Sequence, residues 1–156
     1  MKLVREVIEA KSLKELITVS PDAPVVEAAR LMSLWSVGAL LVLQNDQIVG
    51  LVSERDYVRA VAVGESMEGR RVEDIMVREV RLVPSDLTTD ECMMLMTHLR
   101  LRHVPVTDGR DVLGIISLGD LVKDVVSEQA FVIEQLELYI RRAANAHHLA
   151  FAERHS

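Results

Sequence analysis

The sequence predicts a mixed α/β chain of the α+β kind. It reads as two tandem β-α-β-β-α units, packed with pseudo-two-fold symmetry and followed by a C-terminal helix. Three observations carry this. Gly50-Leu51-Val52-Ser53-Glu54-Arg55-Asp56 recurs as Gly114-Ile115-Ile116-Ser117-Leu118-Gly119-Asp120, with Gly, Ser and Asp each displaced by the same 64 positions, as 114 is from 50. The order of apolar runs and turn residues around each copy is the same. A further apolar-striped stretch follows the second copy and lies outside the repeat.

Residues 1–11 read as a short helix with Val4, Val7 and Ile8 on one face. Leu16 to Val19 is a strand-type run. Pro21-Asp22-Ala23-Pro24 starts a helix, Pro being favoured at the first helical position and Asp before it. Val25, Ala28, Ala29 and Met32 then share a face to about Leu34. The continuous run Ala39–Leu43 fits a strand buried on both sides. Asn45-Asp46 is turn chemistry, Ile48–Val52 the returning strand, and Ser53 caps a helix to about Val63.

Gly64 to Gly69 is a polar joint. Ile75-Met76 and Val80–Val83 open the second copy, through a linker expected to be longer than in the first. Helix Thr88–Leu99 turns Cys92, Leu95, Met96 and Leu99 inward. Strand His103–Val106, a turn at Asp108-Gly109, strand Val112–Ile116 and helix Leu118–Val126 complete the copy. Residues 128–152 form a separate amphipathic helix, with Phe131, Gln135, Leu138 and Arg142 on one stripe and Val132, Leu136, Tyr139 and Ala143 on the next. Such a helix must cover something, on its own chain or on a second subunit. The expected divisions are residues 1–11, 12–67, 68–127 and 128–156.

Hydrophobic residues make up 49% of the 156, enough for a core, and aromatics only 3%, so that core is aliphatic and Met-based. A net charge of −6 argues against nucleic acid and anionic membrane as partners. The single cysteine, Cys92, allows no internal disulfide and suits a reducing compartment. The N-terminus lacks the apolar stretch of a signal peptide, and no run reaches the roughly 18 apolar residues of a membrane span. A cytoplasmic location is expected.

The repeated Ser-x-x-Asp has two readings. Ser53 and Ser117 can cap helices, with Asp56 and Asp120 completing a box. Yet boxes prefer Glu or Gln, and both motifs follow a buried strand directly. A helix start there offers free N–H groups and a positive dipole end suited to phosphate. A carboxylate beside it can accept both hydroxyls of a ribose.

The ordered set of hairpin plus Gly-h-h-Ser-x-x-Asp, twice, with Arg-His-Val-Pro-Val on the second central strand, resembles a CBS-domain pair, or Bateman module. The resemblance covers roughly residues 12–127 and extends to small stand-alone bacterial signal-transduction proteins. It implies a non-catalytic regulatory module with an adenine-nucleotide cleft between the repeats. AMP is the favoured ligand, with ATP, ADP and NADH as alternatives. It also implies a homodimer and an unidentified regulated protein. Carried over, Asp120 and Ser117 hold ribose and phosphate in one site, with Arg102 as a phosphate contact and Ile17, Val37, Gly38 and Ala39 around the base. Asp56 and Ser53 take those roles in the other, with Arg55 near phosphate and Met76, Val80, His103 and Pro105 as wall. Gly38 stands where the other copy has Arg102, so the two sites should differ in phosphate affinity.

Cys92, His98 and His103 fit no common zinc spacing, and no metal site is expected. Met93, Met94 and Met96 read as core filler. His147, His148 and His155 read as surface residues. No sequence-visible base, nucleophile or metal cluster supports the rival reading of a nucleotide hydrolase. The other rival is an interaction scaffold whose acids serve only as caps.

Overall fold

A computed structural model describes residues 2–11 and 15–155, with side chains described as far as His147. The expected boundary at residues 12–14 and the expectations for His148 and His155 lie outside that description. The elements are α1 (Val4–Ala10), β1 (Thr18–Val19), α2 (Val25–Trp35), β2 (Ala39–Gln44), β3 (Gln47–Ser53), α3 (Glu54–Ala62), α4 (Val72–Ile75), β4 (Val83–Pro84), α5 (Thr89–Leu99), β5 (His103–Asp108), β6 (Asp111–Ser117) and α6 (Leu118–His155). They fall into two compact units, residues 1–118 and 119–156.

The first unit holds two three-stranded sheets, in the orders β1-β2-β3 and β4-β5-β6. In each, the outer short strand runs parallel to the central one, and the central strand pairs antiparallel with the third. Ala39 to Val42 and Val104 to Val106 are buried, as expected of central strands packed on both faces. The two-residue turn Asn45-Asp46 has φ of 52° and 63° at its centre, the left-handed pair that matches strand twist. In the second hairpin Asp108 belongs to the strand and pairs with Asp111, so the turn is Gly109-Arg110, one residue later than the sequence suggested.

The copies match in detail. Both hairpins shift register at the same place, between Val42 and Leu43 and between Val106 and Thr107. α2 and α5 both end on a left-handed residue, Ser36 (φ 54°) and Arg100 (φ 56°). The next N–H donates back to Met32 O (3.0 Å) and Met96 O (2.8 Å), which satisfies carbonyls the helix end would leave open. One difference has a covalent cause. The parallel register starts at Thr18↔Leu41 in one sheet but at Val83↔Val106 in the other. The position matching Leu41 is Pro105, which has no N–H to give to a ladder.

The short helices are exchanged between copies. α1 packs on the second sheet: Val4 N–H donates to Leu87 O (2.9 Å) and Thr89 N–H to Lys2 O (3.0 Å). α4 packs on the first: Val72 N–H donates to Ala23 O and Glu73 N–H to Pro21 O, both 2.9 Å. Val72 and Met76 are part of the first sheet's buried core. Ile75-Met76 and residues 80–82 are therefore not strand, and only Val83–Pro84 pairs. Counted from these helix starts, Leu3 and Arg71, to the matched Val19 and Val83, the longer connection is in the first copy. The sequence expectation was the reverse, because it took Ile75-Met76 for strand and so missed α4.

The glycine of each motif lies under an exchanged segment. A Cβ on Gly50 would stand 2.5 Å from Met76 Sδ and 3.0 Å from Val77 O. Leu51 and Val77 exchange both backbone hydrogen bonds there at 2.9 Å. At Gly114 the nearest atoms, on Ile8, are 3.4 Å away.

The second unit is helical. A single uninterrupted helix runs from Leu118 to His155, where two were expected. Nothing between Val126 and Glu128 breaks it, since neither Pro nor Gly occurs there. Its described residues from Val126 onward are all exposed. No helix among the described residues is long and apolar enough to cross a membrane.

Two outcomes follow. Gly50→Ala lowers stability by about 1–3 kcal/mol, the usual cost of overpacking, while Gly114→Ala costs less than half as much in urea unfolding. The Cys92 thiol, fully buried, has its pKa pushed up by desolvation to about 11. The folded protein should therefore resist thiol-alkylating reagents at mildly alkaline pH and react only on unfolding. The raised pKa costs no stability below the unfolded value of 9.0, and stability declines as pH rises from there through about 11.

Candidate nucleotide site

Ser53 is the last residue of β3 and the N-cap of α3, so strand end and helix start coincide. Ser53 N–H and Ser53 Oγ–H both donate to Asp56 Oδ2, at 2.8 and 2.9 Å, and Asp56 N–H donates weakly to Ser53 Oγ at 3.4 Å. The Asp56 carboxylate is thereby turned back over the helix start. Such boxes are general in this chain. Leu3 N–H donates to Glu6 Oε2 (2.7 Å), Arg71 N–H to Asp74 Oδ2 (2.9 Å), and Thr88 Oγ1–H to Glu91 Oε1 (2.8 Å). Capping accounts for the geometry of all four. What separates Ser53–Asp56 from the other three is position: it follows a full-length strand directly, as Ser117 and Asp120 follow β6, and it is part-buried where those three are exposed.

Beside it the two repeats meet. Glu54 N–H donates to Gly38 O (3.0 Å), tying the start of α3 to the start of β2. A Cβ on Gly38 would lie 2.8 Å from Glu54 Oε1 and 2.9 Å from His103 Nε2. Glycine thus lets an acid of the first repeat and an imidazole of the second converge on one point. The matching contact in the second copy is Leu118 N–H to Arg102 O (2.9 Å), with an apolar side chain in place of Glu54. Glu54 was missed from sequence because its partner position holds Leu118, so the repeat gave no signal for it.

The remaining candidates divide by environment. Ile17 and Val37 are partly buried against the first sheet's core, and Ala39 is buried at the start of β2. Met76 is 9% exposed and lies under Gly50, within that same core. Pro105 is buried in mid β5, and Val80 is half-buried in the segment before β4. Arg55 and Arg102 are exposed. Ser117 ends β6, and Asp120 stands in the first turn of α6, in the second unit.

Cys92 is buried against Met96 Sδ (3.9 Å), while His98 is exposed, and no group of three or more ligating side chains among the described residues could hold a metal. An open groove of about 410 Å³ on α2, lined by Glu27, Arg30, Leu31, Ser33 and Leu34, includes none of the candidate residues.

Comparison with known proteins agrees with this architecture. The profile of the CBS domain matches residues 4–63 and 72–127. A solved protein with CBS domains from Burkholderia ambifaria is 45% identical, with a TM-score of 0.77, covering 82% of this chain and 96% of that one. A CBS domain-containing protein of Arabidopsis thaliana is 36% identical over 126 residues, 77% of this chain, which spans only 61% of that relative's length. The CBS pair of protein MJ0100, solved with 5′-methylthioadenosine and S-adenosylmethionine, is 25% identical with a TM-score of 0.66, covering 78% and 98%. Two matched segments, one for each sheet and its exchanged helix, make this chain a member of the CBS-domain family carrying a tandem pair.

Proposed function

We propose that the protein is a non-catalytic regulatory module that binds an adenine nucleotide at the helix starts following β3 and β6, with AMP favoured over ATP, ADP and NADH. One observation carries this reading. The part-buried Ser53–Asp56 box adjoins Glu54, whose carboxylate converges with His103 of the other repeat over Gly38. A ligand held by Ser53 and Asp56 therefore touches both repeats at once. The solved MJ0100 pair with two adenosine compounds supports the ligand class.

In this reading capping and binding cooperate. Capping hydrogen bonds occupy Asp56 Oδ2 and hold the carboxylate in place, leaving Oδ1 for a ribose hydroxyl. Asp120 takes the corresponding role in the second copy, with Ser117 beside it in sequence and Arg102 supplying the phosphate charge that Gly38 cannot. Arg55 serves the first copy. Ile17, Val37 and Ala39 flank one base, and Val80, Met76 and Pro105 back the other. The nucleotide stabilises one arrangement of the repeats, and a partner protein that prefers that arrangement responds through linkage. The module acts as a homodimer in the cytoplasm.

The scaffold reading draws on the other three acid boxes, which cap helices with no ligand in view. The experiment separates the two. AMP at 100 times its dissociation constant should raise stability by about 2.7 kcal/mol in a thermal melt. Asp120→Ala should weaken AMP at the Arg102 site roughly ten- to hundredfold, as loss of a charged hydrogen bond does, with a stability loss of only about 0.5–2 kcal/mol. No melting shift with any of the four nucleotides, or equal AMP affinity in wild type, Asp56→Ala and Asp120→Ala by calorimetry, would leave only the scaffold.

A further inference from the structure

α6 carries an apolar face that the chain leaves in water. Val122 (49% exposed), Val126, Val132, Ile133, Leu136, Tyr139 (71%) and Ile140 are exposed along it. In a seven-residue frame these fall at three recurring positions, while Phe131 and Leu138, also exposed, fall at a fourth outside them. One holds Val122, Gln129, Leu136 and Ala143; the next Val125, Val132, Tyr139 and Ala146; the third Val126, Ile133 and Ile140. That is the three-in-seven stripe of a helix packed along its length on another element. From Val122 to Ala146 it is about 36 Å long.

We propose that α6 pairs antiparallel with α6 of a second copy of this chain, about a two-fold axis at Glu134. Of the antiparallel registers that set these apolar positions on one another, this one alone sets Glu128 against Arg142. Val132 faces Leu136 of the second copy, Gln129 faces Tyr139, Val125 faces Ala143 and Val122 faces Ala146. Along one flank Glu128 meets Arg142 and Gln135 meets its own counterpart; along the other Val126 meets Ile140 and Ile133 meets itself. Both charges at the seam are thus paired with opposite ones, twice by symmetry. A parallel, in-register pair would stack Gln129 on Gln129, set Glu128 against Ile133 and Arg142 against His147, and form no ion pair. Glu134, Glu137 and Arg141 lie away from the seam in either case. The pairing gives the homodimer proposed above its contact and is independent of the nucleotide.

Sedimentation of the full chain tests it. The wild type should be dimeric at micromolar concentration, and Leu136→Glu should raise the dimer dissociation constant at least about tenfold. Glu128→Arg and Arg142→Glu should each weaken the dimer several-fold, and the double reversal should restore it. Gln135→Cys should form an interchain disulfide on mild oxidation, Cys92 being buried. All four positions are exposed, so each variant should keep the folded protomer, read as an unchanged far-ultraviolet circular dichroism spectrum, while its melting point follows the change in dimer affinity. A monomeric wild type, a dimer unmoved by Leu136→Glu, or a double reversal no better than its parts would overturn the proposal. So would an intact dimer in which Gln135→Cys fails to cross-link. The AMP melting shift, run on Leu136→Glu, reports on the nucleotide separately.

Discussion

The rest of the structure depends on the close approach of an exchanged segment to a strand glycine. At Gly50 the Met76 sulfur and the Val77 carbonyl come where a side chain would otherwise stand. Each repeat alone is a three-stranded sheet with one or two helices, too small to bury much surface. By crossing, α4 completes the first sheet's core and α1 covers the second, so neither repeat is whole without the other. The glycine of Gly-x-x-Ser-x-x-Asp is therefore a packing residue, and only the Ser and Asp are left for chemistry. The approach is tight at Gly50 and ordinary at Gly114, so the two halves are held with unequal tolerance.

That exchange gives the site its character. Because the repeats interlock, the starts of their central strands meet, and Gly38 brings Glu54 and His103 together. An acid beside the first motif and a leucine beside the second make the copies electrostatically distinct: Glu54 and Arg55 against Leu118 and Gly119, with Gly38 against Arg102. In the proposed reading, a phosphate would meet Glu54 and Arg55 together in the first copy and Arg102 without a neighbouring acid at the Glu54 position in the second. The capping bonds of Ser53 hold the Asp56 carboxylate in place, and in the proposed reading that would lower the ordering cost of binding.

Much of this was legible in the sequence. The doubled motif fixed the repeat, apolar runs located β2, β3, β5 and β6, and Pro24 and Thr88 marked helix starts. Pro24 is in fact the cap residue of α2, one position outside the helix. The short elements were not legible. α4 is four residues and forms because the first sheet covers it, which local propensity cannot report. The exchange of α1 and α4 is a long-range fact with no periodicity of its own. The helix does not stop near residue 127, where a separate helix was expected to begin, because both flanking stretches are helical and no stop residue lies between them. Glu54 was hidden because a repeat comparison finds what the copies share, and this acid is what they do not.

The most direct measurement is a crystal structure of the full chain grown with saturating AMP. The account predicts density for AMP with its ribose hydroxyls within hydrogen-bond reach of the Asp120 carboxylate, the Asp56 carboxylate or both, and its phosphate toward Arg102 in the second copy. Empty helix starts with both carboxylates closed on their own caps, or AMP bound elsewhere, would contradict it.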